Sequence, residues 1–137
     1  MSFLFSNRPY NTLFAIWLFI NRVGVSAFML THGYPKLMML LDGRTESFPD
    51  PLGVGSLTSL ILAILTEVVA SVFLILGLFS RFSALALFVT MAVAVFIVHV
   101  GDPFGILEKA LLYLFIYLNI IVFGPGKFSI DAILSKR

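Results

Sequence analysis

Cysteine is absent from this 137-residue chain, and charge is scarce: Asp, Glu, Lys and Arg together make up 12% of it. Without cysteine there is no dithiol exchange, no thiolate ligation of an iron–sulfur cluster and no internal disulfide. Histidine is limited to His32 and His99. Neither belongs to a His-x-x-x-His or Glu-x-x-His pair, so no metal site is expected. The formal charge of +2 comes from basic residues scattered along the chain rather than gathered in a patch, which argues against nucleic acid as a partner.

What fills the space is apolar. Hydrophobic residues make up 60% of the chain, and the mean hydropathy is +1.06, values that exclude an ordinary soluble domain. Four runs approach the roughly 20 residues that cross a bilayer, at about 13–32, 57–79, 82–99 and 107–123. The expected fold is therefore all-α, an integral membrane four-helix bundle in which residues 1–137 form one domain with the lipid bilayer as its solvent. A homo-oligomer is compatible with such a bundle. The first run continues past Asn21 and Arg22 without a small-residue cleavage site, so it reads as a retained span rather than a secretory signal. The one long connection lies between Lys36 and Ser56, rich in Asp, Gly and Pro. Gly77 to Arg81 makes a tight hairpin turn, and Pro103 with its flanking glycines stops the third span.

Basic residues suggest the orientation. With an even number of spans, Arg8, Arg81, Lys127, Lys136 and Arg137 share one side, and Lys36, Arg44 and Lys109 share the other. The excess favours both termini in the cytoplasm, with His32, the long loop and His99 outside.

Charges inside the spans are the candidate functional groups. An unpaired Arg at the bilayer centre costs about 2.5 to 3.5 kcal/mol even on the lenient insertion scale, so Arg22 needs a partner. Counting inward from His32 and from Leu57 places Arg22 and Glu67 at about 15 Å depth each, and they are expected to pair directly or through one polar group. Arg22, Ser26, Met29 and Gly33 fall on one helical stripe, and Ser56, Leu60, Ala63, Glu67, Ser71 and Leu74 on another; both should face neighbouring helices. Such a pair can hold helix register, or it can form the polar floor of a ligand or proton site. At the outer boundary His32, Lys36, His99, Glu108 and Lys109 come from separate segments and can converge. The stripe Glu108, Leu112, Phe115 and Asn119 offers a second polar contact near the depth of Arg22. His99 and Thr90 lie about 180° apart on a regular helix, which ranks His99 below His32, Arg22 and Glu67. Bis-imidazole haem ligation needs two facing histidines at equal depth, and little else here supports it.

Arg22-Val23-Gly24, then His32-Gly33-Tyr34-Pro35-Lys36-Leu37, Glu67 in a span ending Leu76-Gly77-Leu78-Phe79-Ser80-Arg81, then His99, and finally Gly124-Pro125-Gly126-Lys127-Phe128-Ser129-Ile130-Asp131 together resemble the DoxX family of small four-span membrane proteins. The likeness runs through nearly the whole chain in order. It implies an inner-membrane protein related to a membrane subunit of thiosulfate:quinone oxidoreductase. A quinone is then the implied cofactor, and other oxidoreductase subunits are the implied partners. The competing class is a non-catalytic scaffold or small-molecule permeation protein whose charges only hold the bundle together.

Overall fold

The computed structural model describes residues 12–135; Arg8, Tyr10, Lys136 and Arg137 lie outside the described residues. Four helices are long and apolar enough to cross a membrane: α1 (Thr12–Leu41), α2 (Ser56–Leu76), α3 (Ser80–Val98) and α4 (Phe104–Phe123). A short α5 (Ile130–Leu134) follows, and no strand occurs among the described residues. The chain is an all-α membrane bundle. Its helices alternate in direction, so the 42–55 loop and the 99–103 turn lie at one end, here the loop end. The Gly77 turn and the 124–135 tail lie at the other, the tail end.

α1 differs most from the sequence expectation. It does not stop near His32 but continues through Pro35 to Leu41. Proline removes one backbone donor and crowds the carbonyl four residues earlier, a loss that neighbouring helices make tolerable inside a membrane bundle. The apolar run Leu37–Leu41 then carries the helix on. At 30 residues α1 is about 45 Å long and overshoots a hydrocarbon core of about 30 Å. The other three, at 19 to 21 residues, match it.

Side chains sort by helical period. Val25 and Met29 of α1, Leu74 of α2, Leu87 of α3 and Leu114, Tyr117 and Ile120 of α4 form the buried core. Phe28, Phe82, Phe96, Phe104 and Phe115 are exposed, as suits a surface solvated by lipid and not by water. Arg22, Ser26, Met29 and Gly33 are all buried, as are Leu60, Glu67, Ser71 and Leu74 on α2. Small residues let these two stripes meet. A Cβ added at Gly33 would lie 2.6 Å from Val68 Cγ2 and 3.1 Å from the Glu67 carbonyl carbon, so glycine sets the approach of α1 to α2. Gly33→Ala should cost about 1 to 3 kcal/mol by overpacking. Gly24→Ala, where a Cβ meets nothing within 4 Å, should leave the melting temperature in detergent unchanged or raised.

The tail end is a knot of caps. α2 finishes on Gly77 at φ 71°, with Leu78 N–H donating to the Phe73 carbonyl and Gly77 N–H to that of Leu74 at 2.9 and 3.1 Å, a Schellman stop. The Asp131 carboxylate accepts from the N–H groups of Phe79 and Ser80, both at 2.8 Å, and so caps the start of α3. Asp131 N–H in turn donates to the Gly77 carbonyl at 2.8 Å. Ser129 caps α5 through Ala132 N–H.

Candidate functional site

Arg22 belongs to this knot and not to a pair with Glu67. Its guanidinium donates to the carbonyls of Leu74, of Ile75 at 2.9 Å and of Phe128 at 2.6 Å, and it lies 5.6 Å from the centre of the Phe19 ring. The first two carbonyls belong to the last turn of α2, where that of Leu74 also accepts from Gly77 N–H and a cation is favoured by the helix dipole. The expectation of equal depth fails because Gly33, and not the helix end, is level with Glu67. Arg22 is eleven residues from Gly33, about 16 Å nearer the tail end.

Glu67 is paired instead with Lys36, one helical turn beyond Gly33 on the same face of α1. The Glu67 side chain is 5% exposed and that of Lys36 26%, so the carboxylate is enclosed while the ammonium reaches an opening. That opening is a cavity of about 620 Å³ between α2 and α3 at the loop end. Leu62, Ala63 and Thr66 wall it on one side and Ala86, Val89 and Thr90 on the other, while Phe48, Pro49, Pro51 and Leu52 of the loop line it as well. Lys36, Glu67 and His99 supply its charged and imidazole groups. Thr66 and Thr90 return their hydroxyls to their own helices, at the Leu62, Ala63 and Ala86 carbonyls.

Both helices widen where they meet the cavity. Residues Leu65–Ala70, which hold Glu67, form a π-helical turn, and so do Ala94–Val98. Such turns are frequent at functional sites. The second explains why His99 and Thr90 line one cavity despite their spacing. A turn closed by an i to i+5 bond, here His99 N–H to the Ala94 carbonyl at 2.9 Å, rotates less per residue than an α-turn. The His99 ring also lies 2.8 Å from an Asp102 carboxylate oxygen, which fixes its orientation.

The remaining candidates lie elsewhere. His32 is turned to α4, its ring 5.7 Å from that of Tyr113 in an edge contact. Glu108, Lys109 and Asn119 are exposed. The whole stripe Glu108, Leu112, Phe115 and Asn119 faces away from the bundle, and Asn119 returns its amide to the Phe115 carbonyl at 2.8 Å. The opposite face of α4, with Ala110, Leu114 and Tyr117, is the buried one. Among the described residues no group of His, Asp and Glu is placed to hold a metal ion.

The loop lining the cavity is fastened at Asp50, which accepts from the N–H groups of Val54 and Gly55 and from the Ser59 hydroxyl at 2.8 to 3.0 Å. These donors, Ser59 foremost, favour the ionised form and hold this carboxyl below its ordinary value. With the folded value below the unfolded one, the contribution is complete above about pH 4 and is lost as pH falls through the lower folded value. Protection of the Val54 and Gly55 amides, measured against their intrinsic exchange rates at each pH, should therefore persist from neutral pH down to about pH 4 and fall only below it. In Asp50→Ala that protection should be lost at every pH.

Sequence comparison places this arrangement. The DoxX family model matches residues 17–100, which include Arg22, Gly33, Lys36, Glu67 and His99. The chain belongs to the DoxX family. An uncharacterised protein of Haemophilus influenzae is 31% identical over 140 residues, spanning 95% of each chain. The Escherichia coli inner membrane protein YphA is 28% identical over 125 residues, 85% of this chain and 89% of its own. No solved structure matches. In this DoxX protein the family match covers both polar centres of the transmembrane helices, the Arg22 knot on its α1 and α2 sides and the Lys36–Glu67 pair, but not the tail that completes the knot.

Proposed function

We propose that this DoxX protein binds the head group of a membrane-soluble quinone in the cavity between α2 and α3, as an accessory or subunit of a membrane oxidoreductase. The observation that carries this reading is an apolar cavity of about 620 Å³ supplied with an ammonium and an imidazole, within the roughly 300 to 1,000 Å³ usual for small-molecule sites. The donor set fits a quinone. Lys36 offers hydrogen-bond donors and His99 one more, both suited to carbonyl oxygens, while Phe48, Phe82 and Leu62 offer apolar surface to a ring. Glu67 accepts and so aims Lys36, and Asp102 aims His99. When bound, a quinone supplies two-electron, two-proton redox chemistry, with the electrons coming from a partner subunit. Both termini are proposed to be cytoplasmic, which places the cavity at the outer side of an inner membrane. A reporter active only in the cytoplasm should then work at Arg137 and fail within the loop.

The test is binding of a ubiquinone analogue to purified protein in nanodiscs. Lys36→Met and His99→Ala should each weaken it about tenfold or more, the effect of one lost hydrogen bond that leaves its acceptor unpaired, whereas His32→Ala and Asn119→Ala should not. The scaffold reading rests on Arg22, whose contacts are all to its own fold. It is favoured if the folded parent binds no quinone.

A further inference from the structure

The outward face of α4 presents a carboxamide to lipid. Asn119 is exposed and lies about 15 Å along the helix from Lys109 and about 6 Å before its last residue, Phe123, so hydrocarbon surrounds it on the outer surface of the bundle. Its Nδ2 donates to the Phe115 carbonyl at 2.8 Å, which uses one of its two N–H groups. The second N–H and the carbonyl oxygen, one donor and one acceptor, meet no partner among the described residues. Water would serve both on a soluble protein, but lipid offers neither a donor nor an acceptor. The other polar groups that the spans expose are better placed. Thr31, Thr66 and Thr90 each return a single O–H to their own helix, and Asn21 is half-buried.

Charge repeats the pattern at the boundary. Glu108 and Lys109 are exposed, and neither enters an ion pair among the described residues. Gly105, where an added Cβ meets nothing within 4 Å, extends the stripe of Glu108, Leu112, Phe115 and Asn119, and Lys109 stands on its flank. Copies of one membrane protein insert with one orientation, so the two-fold axis of a symmetric pair runs along the membrane normal. Each α4 residue is then level with its own counterpart in the second copy. The residues suit that symmetry. A carboxamide is self-complementary, since two of them form a closed pair in which each donates once and accepts once. Glu108 and Lys109 differ in height by only about 1.5 Å, so each carboxylate meets an ammonium across the axis.

We propose that the outward face of α4 is the interface of a parallel homodimer, in which Asn119 hydrogen-bonds to Asn119 of the second copy and Glu108 pairs with the second copy's Lys109. The dimer is independent of the proposed function, because no residue of α4 lines the cavity between α2 and α3.

The absence of cysteine lets single-cysteine variants of the full chain map the contact by oxidation in membrane vesicles. Leu112→Cys and Phe115→Cys should give a disulfide-linked dimer. Phe28→Cys, Val72→Cys and Phe96→Cys, at exposed positions on the other three helices, should not. Energy transfer between donor- and acceptor-labelled copies, reconstituted at falling ratios of protein to lipid, gives the dissociation constant of the pair. Asn119→Leu should keep the parent's helical melting, since the side chain is exposed, and should weaken the pair about 3- to 30-fold, the range for interhelical hydrogen bonds in membranes. Asn119→Gln should retain most of the parent's affinity. A parent that is monomeric at every dilution overturns the proposal. So do cross-links confined to the other helices, and so does an Asn119→Leu variant that pairs as tightly as the parent.

Discussion

Arg22→Leu is expected to lower the unfolding free energy by at least about 2 kcal/mol, because three carbonyls lose a charged donor, only that of Leu74 keeps a backbone N–H, and each unpaired one costs about 1 to 3 kcal/mol. Those of Leu74, Ile75 and Phe128 are the groups affected. Arg22→Lys should recover only part of the loss, since an ammonium lacks the planar fork that reaches three acceptors on two segments. The decisive comparison is with Glu67→Leu. Arg22 and Glu67 share no partner, and Arg22 lies about 16 Å along α1 from Gly33, the residue level with Glu67, so their effects should add within a few tenths of a kcal/mol. Recovery in the double variant would restore the ion pair that the sequence suggests and the structure replaces. Thermal or denaturant unfolding in detergent, followed by helical circular dichroism, reads these differences.

Lys36 and Glu67 should behave in the opposite way. Lys36→Met strands a carboxylate that is 5% exposed, and breaking such a pair by removing one partner typically costs about 3 to 5 kcal/mol. Glu67→Leu leaves an ammonium that is 26% exposed and can turn toward the opening, so its loss should be smaller. The double variant Lys36→Met, Glu67→Leu should recover most of the Lys36→Met loss, because an apolar pair of similar volume replaces the ionic one. Equal, additive losses would show that the two groups do not depend on each other.

Hydropathy and period made the helices and their buried faces legible. Both small-residue stripes came from spacing alone, and the ends of α2 to α4 fell within three residues of the observed bounds. The end of α1 did not, because Pro35 and Lys36 carry the local chemistry of a helix stop, and only packing against α2 shows that the helix continues. That one displacement misaligned every depth counted from His32, and it put Arg22 opposite the wrong residue. A signal for the correct partner was present, since Gly33 and Lys36 are three residues apart and share the face on which α2 approaches. The outward turn of Asn119 was not legible: a polar residue within a span suggests an inward face, yet its amide donates to its own helix. Nor were the two π-turns, which have no composition of their own and alter which side chains share a surface. The Gly124–Asp131 stretch was readable as a motif, but its work as a set of caps is visible only once α2, α3 and the tail are seen together.

The Arg22 contact with Phe128 joins residues 106 positions apart. At the roughly 5 to 20 residues per second of synthesis, Arg22 is made about 5 to 20 seconds before its last acceptor exists. Throughout that interval the guanidinium must be kept by water, lipid phosphate or the insertion machinery. Membrane integration of this protein is therefore a two-stage event, in which α1 enters early but settles late, and the later step is the 124–135 tail closing over a charge admitted with α1.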